Sequence, residues 1–192
     1  MKFPPYSGGL LVIHMTQAVV LVFCLWAGLV SLVHGQVTTL EQINPPFGLY
    51  WAETQKEIIH ILDRAHARIT TKQNIQGREA WTVQGLIQPA LKRTVLYFGD
   101  HKILVEVELQ YEHPEWDLVA YEEFLSSARK HLEARYGPPT ILARDKKPEG
   151  DVMQTVVGYQ WQQPSSSIQL FFYSAERNND VYRSVSLHYR AG

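Results

Sequence analysis

Hydrophobic positions follow three regimes along this chain. From Ala18 to Val33 every residue is apolar or small, and sustained polar sequence starts at Gln36. Beyond it, stretches with helical spacing alternate with stretches of period two. Thr54-Gln-Lys-Glu57 has the form of a capping box, and Ile58, Ile61, Leu62 and Ala65 then recur on one stripe, which predicts a helix of about three turns. Segments Arg68–Ile75 and Glu79–Val83 read as strands. Arg93–Phe98 and Lys102–Tyr111 flank Gly99-Asp100-His101 and form a hairpin. One face of that hairpin carries Leu96, Phe98, Ile103, Val105, Val107, Leu109 and Tyr111 and is expected in the core. The opposite face carries Arg93, Tyr97, Glu106, Glu108 and Gln110 and is expected half exposed.

His113-Pro114 ends the strand, and Asp117 caps a second helix. Its stripe is Leu118, Tyr121, Phe124, Leu125, Ala128, Leu132 and Tyr136, and Gly137-Pro138-Pro139 stops it. Residues 144–151 read as a charged surface loop. Three strands close the chain, Val152–Trp161, Ile168–Tyr173 and Val181–Tyr189, linked by Gln162–Ser167 and Ser174–Asp180. The fold class is α+β, with two helices packed on an antiparallel sheet. A tandem helix-then-strands duplication is one reading of this order, with halves at 47–112 and 117–190. It lays Trp81 on Trp161, Leu96-Tyr97-Phe98 near Leu170-Phe171-Phe172, and Val107-x-Leu109-x-Tyr111 on Val185-x-Leu187-x-Tyr189. The other reading is two amphipathic hairpins that look alike because both are rich in Tyr and Phe.

Three features together carry a resemblance. Trp51 precedes the capped turn Thr54-x-x-Glu57. A Leu96-Tyr97-Phe98-Gly99-Asp100 turn leads into Leu104-Val105-x-Val107. A Tyr-containing helix closes on Arg135-Tyr136-Gly137-Pro138-Pro139. Over roughly Phe47–Thr140 this order resembles small exported bacterial α+β domains. Among them are outer-membrane assembly lipoproteins of the SmpA/OmlA type and β-lactamase-inhibitor-like helix-on-sheet domains. The matching residues are structural, so the resemblance implies a fold and transfers no catalytic position.

The apolar run at the start changes the destination. With Val33 and Gly35 at the −3 and −1 positions it reads as a signal peptide over 1–35, cut after Gly35. The alternative is an uncleaved anchor, since the run is only slightly shorter than the roughly 18–20 residues of a span. Either Met1 or Met15 can be the start. The domain at 36–192 is therefore expected to be periplasmic or secreted, with membrane contact only if the segment is retained. Its lead, 36–45, is read as polar. Cys24 is the only cysteine and lies inside the run, so the exported part has neither disulfides nor thiol chemistry. Phe23 before it is too bulky for a lipidation signal. Losing Lys2 with the leader leaves 17 of the 18 Lys and Arg against 19 Asp and Glu, and no basic patch marks a nucleic-acid partner.

Candidate chemistry is sparse. His113, Glu115 and Asp117 fall within five residues, but Pro114 makes the segment a turn and Asp117 has a capping role. His60 and His66 on the first helix lack the i, i+4 spacing of a shared metal. Glu106 and Glu108 share a strand face, where Arg93 is expected opposite one of them as a cross-strand charge pair. Ser165-Ser166-Ser167 reads as a hairpin loop, and no nucleophile elbow or phosphate loop is present. No catalytic residue, metal ligand or cofactor is assigned. Alternation places Phe171, Tyr173 and Tyr182 on the face opposite Leu170, Phe172 and Val181, making them the candidate binding residues. The expected function is non-catalytic binding of an envelope or extracellular protein. An exported hydrolase using carboxylates or histidines is the competing class, and an inhibitor of an extracellular enzyme is a third.

Mass spectrometry of the exported protein should find an N-terminus at or within a few residues of Gln36. An intact leader in a cytoplasmic fraction would overturn the destination.

Overall fold

Thr54 opens the first helix as its sequence requires. Its Oγ1 accepts from the Glu57 amide at 3.4 Å, while Glu57 Oε2 accepts from the Thr54 amide at 2.8 Å. The computed structural model describes residues 40–192. The signal segment, its cleavage point and Cys24 lie outside the described residues. In chain order the elements are α1 (Gln55–Arg64), β1 (Arg68–Ile75), β2 (Arg78–Gln84), β3 (Leu91–Phe98), β4 (Leu104–Tyr111), α2 (Leu118–Tyr136), β5 (Thr140–Glu149), β6 (Val152–Gln163), β7 (Ser166–Arg177) and β8 (Asp180–Ala191). This is an α+β chain whose eight strands form one antiparallel sheet, ordered β1-β2-β3-β4-β8-β7-β6-β5.

Two four-stranded meanders meet where β4 pairs with β8. Six residue pairs make the junction, from Glu106 opposite Arg190 to Tyr111 opposite Val185, with Leu109 facing Leu187. Alternation along these strands sends Val107, Leu109, Tyr111, Val185 and Leu187 into one apolar cluster. The same cluster takes Ile58 and Leu62 from α1 and Tyr121, Leu125, Leu132 and Tyr136 from α2. The other face of the sheet holds only a small cluster of Ala80, Val95 and Tyr97.

Several sequence expectations need correction. Ala65 is the exposed C-cap of α1, and Ala67 fills the core position instead. A register shift between Tyr97 and Phe98 sets Phe98 opposite Leu104, so Leu104 is buried in place of Ile103 and Val105. Leu118 is exposed, because the first residue of α2 projects beyond the sheet. The charged stretch 144–151 is not a loop: through Glu149 it belongs to edge strand β5, whose exposed side chains hide the alternation that would mark a strand. Both expected links after β6 and β7 shrink to tight turns, and Ser166 and Ser167 lie buried in β7. The lead is anchored as well as polar: Ile43 is fully buried, and its amide donates to Gln163 Oε1 at 2.8 Å.

The tryptophan overlay also fails on register. Trp81 faces Leu96, which faces Val107; Trp161 faces Ile168, which faces Tyr189. Val157, opposite Phe172 and hence in the row of Val185, occupies the place that corresponds to Trp81. Strands β6 and β7 are 12 residues long against 7 and 8 for β2 and β3, which displaces any overlay by constant interval.

Leu125, 8 % exposed, and Leu118, 39 % exposed, test how α2 sits on the sheet. Leu125→Ala should cost about 2–5 kcal/mol in urea denaturation. Leu118→Ala should stay within about 0.5 kcal/mol of the parent.

Candidate functional site

The uncovered face of the sheet carries a buried charge. Glu106 projects there from β4 and is only 3 % exposed. Its Oε2 accepts from Arg78 Nη1 of β2 at 2.7 Å. Its Oε1 stands 3.2 Å from His188 Nδ1 and 3.1 Å from Arg190 Nε, both on β8. Around this centre, Arg190 Nη1 donates to Gln169 Oε1 at 3.0 Å, and His188 Nε2 lies 3.2 Å from Ser186 Oγ. The Arg78 guanidinium lies over the Tyr97 ring, 4.8 Å from its centroid, and Tyr97 Oη donates to Glu108 Oε2 at 2.7 Å. Strand register explains the convergence: Tyr97 faces Glu106 across β3 and β4, and Arg190 faces Glu106 across β4 and β8.

Burial alone would raise the Glu106 pKa, but hydrogen bonds from His188 and Arg78, with the Arg190 charge, overcome it and hold the carboxyl at about 2. Burial, then the bond to Glu108, pushes the Tyr97 phenol well above its ordinary range. These shifts bear on chemistry. A general acid or base works best with a pKa near the operating pH. Glu106 stays ionised throughout the neutral range, and Glu108 already holds the Tyr97 hydroxyl. A carboxylate held this far below neutral pH is a weak base, and its pairing fixes the side chains around it.

Phe171 and Tyr173 alternate with buried Leu170 and Phe172, and both share this uncovered face with Tyr182 and Glu106. Val181, expected inward beside Tyr182, is instead 49 % exposed at the end of β8 beyond its pairing with β4. Phe171 sets its edge against His188, with centroids 6.1 Å apart. Tyr173 and Tyr182 are 6.1 Å apart, and Tyr182 is 44 % exposed while the other two are half-buried. Tyr182 Oη donates to Glu112 Oε1 at 3.0 Å and accepts from Gln110 Nε2 at 3.1 Å.

Arg93 is not opposite a glutamate. It faces Gln110 and is exposed, because the hairpin register that sets Tyr97 opposite Glu106 brings Val95, not Arg93, opposite Glu108. Glu106 is buried where half exposure was expected, since its partners come from β2 and β8. The partners Arg78, His188 and Arg190 carry no sequence signal of this site: Arg78 lies one residue outside the expected strand, and the other two require the β4–β8 pairing. His113 and Asp117 serve their own turn, through the Glu115 amide on His113 Nδ1 at 3.3 Å and the Ala120 amide on Asp117 Oδ1 at 2.9 Å. His66 lies beyond the end of α1. Among the described residues no three His, Cys, Asp or Glu side chains converge as metal ligands. No helix there is long and apolar enough to cross a membrane.

Comparison with known proteins finds no matching family, no matching curated protein and no matching solved structure.

A group whose pKa is depressed on folding stabilises above its unfolded value and loses that contribution as pH falls through the folded one. For Glu106 the window runs from the ordinary 4.5 down to about 2 and is worth about 3 kcal/mol at 1.36 kcal/mol per pH unit. Glu106→Gln should therefore be less stable than the parent at pH 7, and the gap should close as both are titrated from pH 5 to 2. Parallel stability curves would show that the carboxylate charge is not held as described.

Proposed function

We propose that this is an exported, non-catalytic binding protein that engages an envelope or extracellular protein through the uncovered face of its sheet. One observation carries the reading. That face combines an aromatic row, Phe171, Tyr173 and Tyr182, with a charge centre whose ionised groups are already paired within the molecule. Aromatic side chains bring large contact area at low entropic cost, and paired charges require little further desolvation when a partner covers them. Both helices contribute to the cluster on the opposite side, so among the described residues no helix covers this face.

The chain is further proposed to be a tandem duplication of a helix followed by four strands. In support, α1 with β1–β4 and α2 with β5–β8 share that order, and Leu109 pairs with Leu187, its own counterpart in the overlay. Export and the resemblance to SmpA/OmlA-type and inhibitor-like helix-on-sheet domains belong to the same proposal. They rest on the leader and the motif order alone.

Tyr173→Ser with Tyr182→Ser tests the face. The double variant should melt within about 4 °C of the parent, a shift corresponding to about 1 kcal/mol for a chain of this size. It should lose the cross-linked partner that the parent retains in intact cells. A variant that is folded and still cross-links to the same protein would move the site off this face.

A further inference from the structure

A second site lies at the fork where β4 and β8 part. Their pairing ends at Tyr111 opposite Val185. Upstream, Asp180–Ser184 of β8 continues to pair with β7, and among the described residues its other edge has no backbone partner. A cleft of about 540 Å³ occupies this fork, bounded by Val181–Arg183 on one side and by Glu112 and Trp116 on the other. Trp116 and Tyr121, packed edge to face at 5.2 Å, line it from the α2 side. Lys92, Glu112 and Tyr182 bridge it from the uncovered face, with Lys92 Nζ bound to Glu112 Oε2 at 2.5 Å.

The other half of the molecule shows what such an edge accepts. Leu104 on β4 stands five residues ahead of the Leu109–Leu187 pair, as Tyr182 does on β8. There the backbone of the turn leading into α1 fills the edge. The Ala52 amide donates to the Leu104 carbonyl at 3.1 Å, the Leu104 amide donates to the Glu53 carbonyl at 2.8 Å, and Thr54 bridges to Ile103. The turn leading into α2 does not do the same for β8. The Glu115 amide, two residues before its N-cap as Ala52 is, goes to His113 Nδ1 of its own turn at 3.3 Å. Among the described residues the β8 edge is left open where the β4 edge is closed by backbone.

We infer that the cleft is a strand-addition site, which takes a short extended peptide of a partner protein onto the free edge of β8 at Asp180–Ser184. Main-chain hydrogen bonds to that edge would give affinity, and contact with Trp116 and Tyr121 would select an apolar or aromatic side chain. Among the three exposed edges this one is the best built for it. β1 carries a register shift between Ile69 and Thr71, and β5 presents Lys146, Lys147 and Pro148, features that discourage pairing. The inference stands independently of the aromatic face, although Tyr182 borders both.

A random heptapeptide library displayed on phage, panned on the purified protein, supplies the probe. Selected peptides, made synthetically, should slow amide hydrogen exchange within Asp180–Ser184. N-methylation of alternate peptide amides should weaken binding at least tenfold in one register and leave it nearly unchanged in the other, because only one set faces β8. Failure to select any peptide would overturn the proposal. So would protection confined to β1, β5 or the face bearing Phe171 and Tyr173, or equal binding of both N-methylated series. A protected β8 edge with no effect of Tyr173→Ser would uphold this site while leaving the aromatic face to its own test.

Discussion

Glu106 lies where β4 meets β8, and three side chains from two other strands converge on its carboxylate. Arg78 reaches it from β2, and His188 and Arg190 from β8. An ionised carboxylate with so little solvent would be costly alone, and removing one partner of such a group leaves the others uncompensated. The cluster therefore requires that both meanders be in place and in register. A one-residue slip between β4 and β8 would turn Glu106 into the apolar layer and send Val107 outward. On the opposite side of the same junction, Val107, Leu109, Tyr111, Val185 and Leu187 pack beneath the helices. Apolar packing on one face and ion pairing on the other specify the same register, and that agreement is why two four-stranded units form one sheet.

A sheet covered by helices on one side leaves its other side to water or to a partner. Most such faces solve the problem with exposed polar side chains. Here Ala80, Val95, Tyr97 and Glu106 are buried on the uncovered side as well, by the bulk of Arg78, His188, Arg190 and Phe171 around them. The face is thus partly pre-organised: Arg78 and Arg190 are bound to Glu106 and Gln169, and Tyr97 and Tyr182 are held by Glu108, Glu112 and Gln110. Side chains fixed in this way lose less freedom when covered, which is the physical basis for reading the face as a binding surface.

Period and capping made much of this fold legible. Thr54, Glu57, Asp117 and Gly137 locate both helix boundaries, and alternation from Val107 to Tyr111 sorts the two faces of β4 correctly. What alternation cannot reveal is which strands are neighbours. Arg93 was assigned to the glutamates because β3 is next to β4 in sequence, whereas the actual cations arrive from β8, some 80 residues on, and from β2. Strand β5 escaped for a different reason: on an exposed edge both faces are wet, so its residues carry no period. Leu170 and Phe172 on one side leave Phe171 and Tyr173 only the other, where the sheet holds them half-buried.

The two halves are alike in order and unlike in how each enters its helix. Both lead-ins turn, with the Glu53 amide on the Tyr50 carbonyl and the Trp116 amide on the His113 carbonyl. Before α1 the Ala52 amide then reaches the Leu104 carbonyl of β4, whereas before α2 the Glu115 amide is taken by the His113 ring of its own turn. The turn also sets Trp116 against His113, Tyr121 and Phe124, an aromatic stack that has no counterpart before α1. An open backbone edge beside a rigid aromatic wall is costly to keep in a small domain, where surface is plentiful and core is scarce. Among the described residues it stays open in one half while backbone fills it in the other, and that contrast is what the strand-addition proposal rests on.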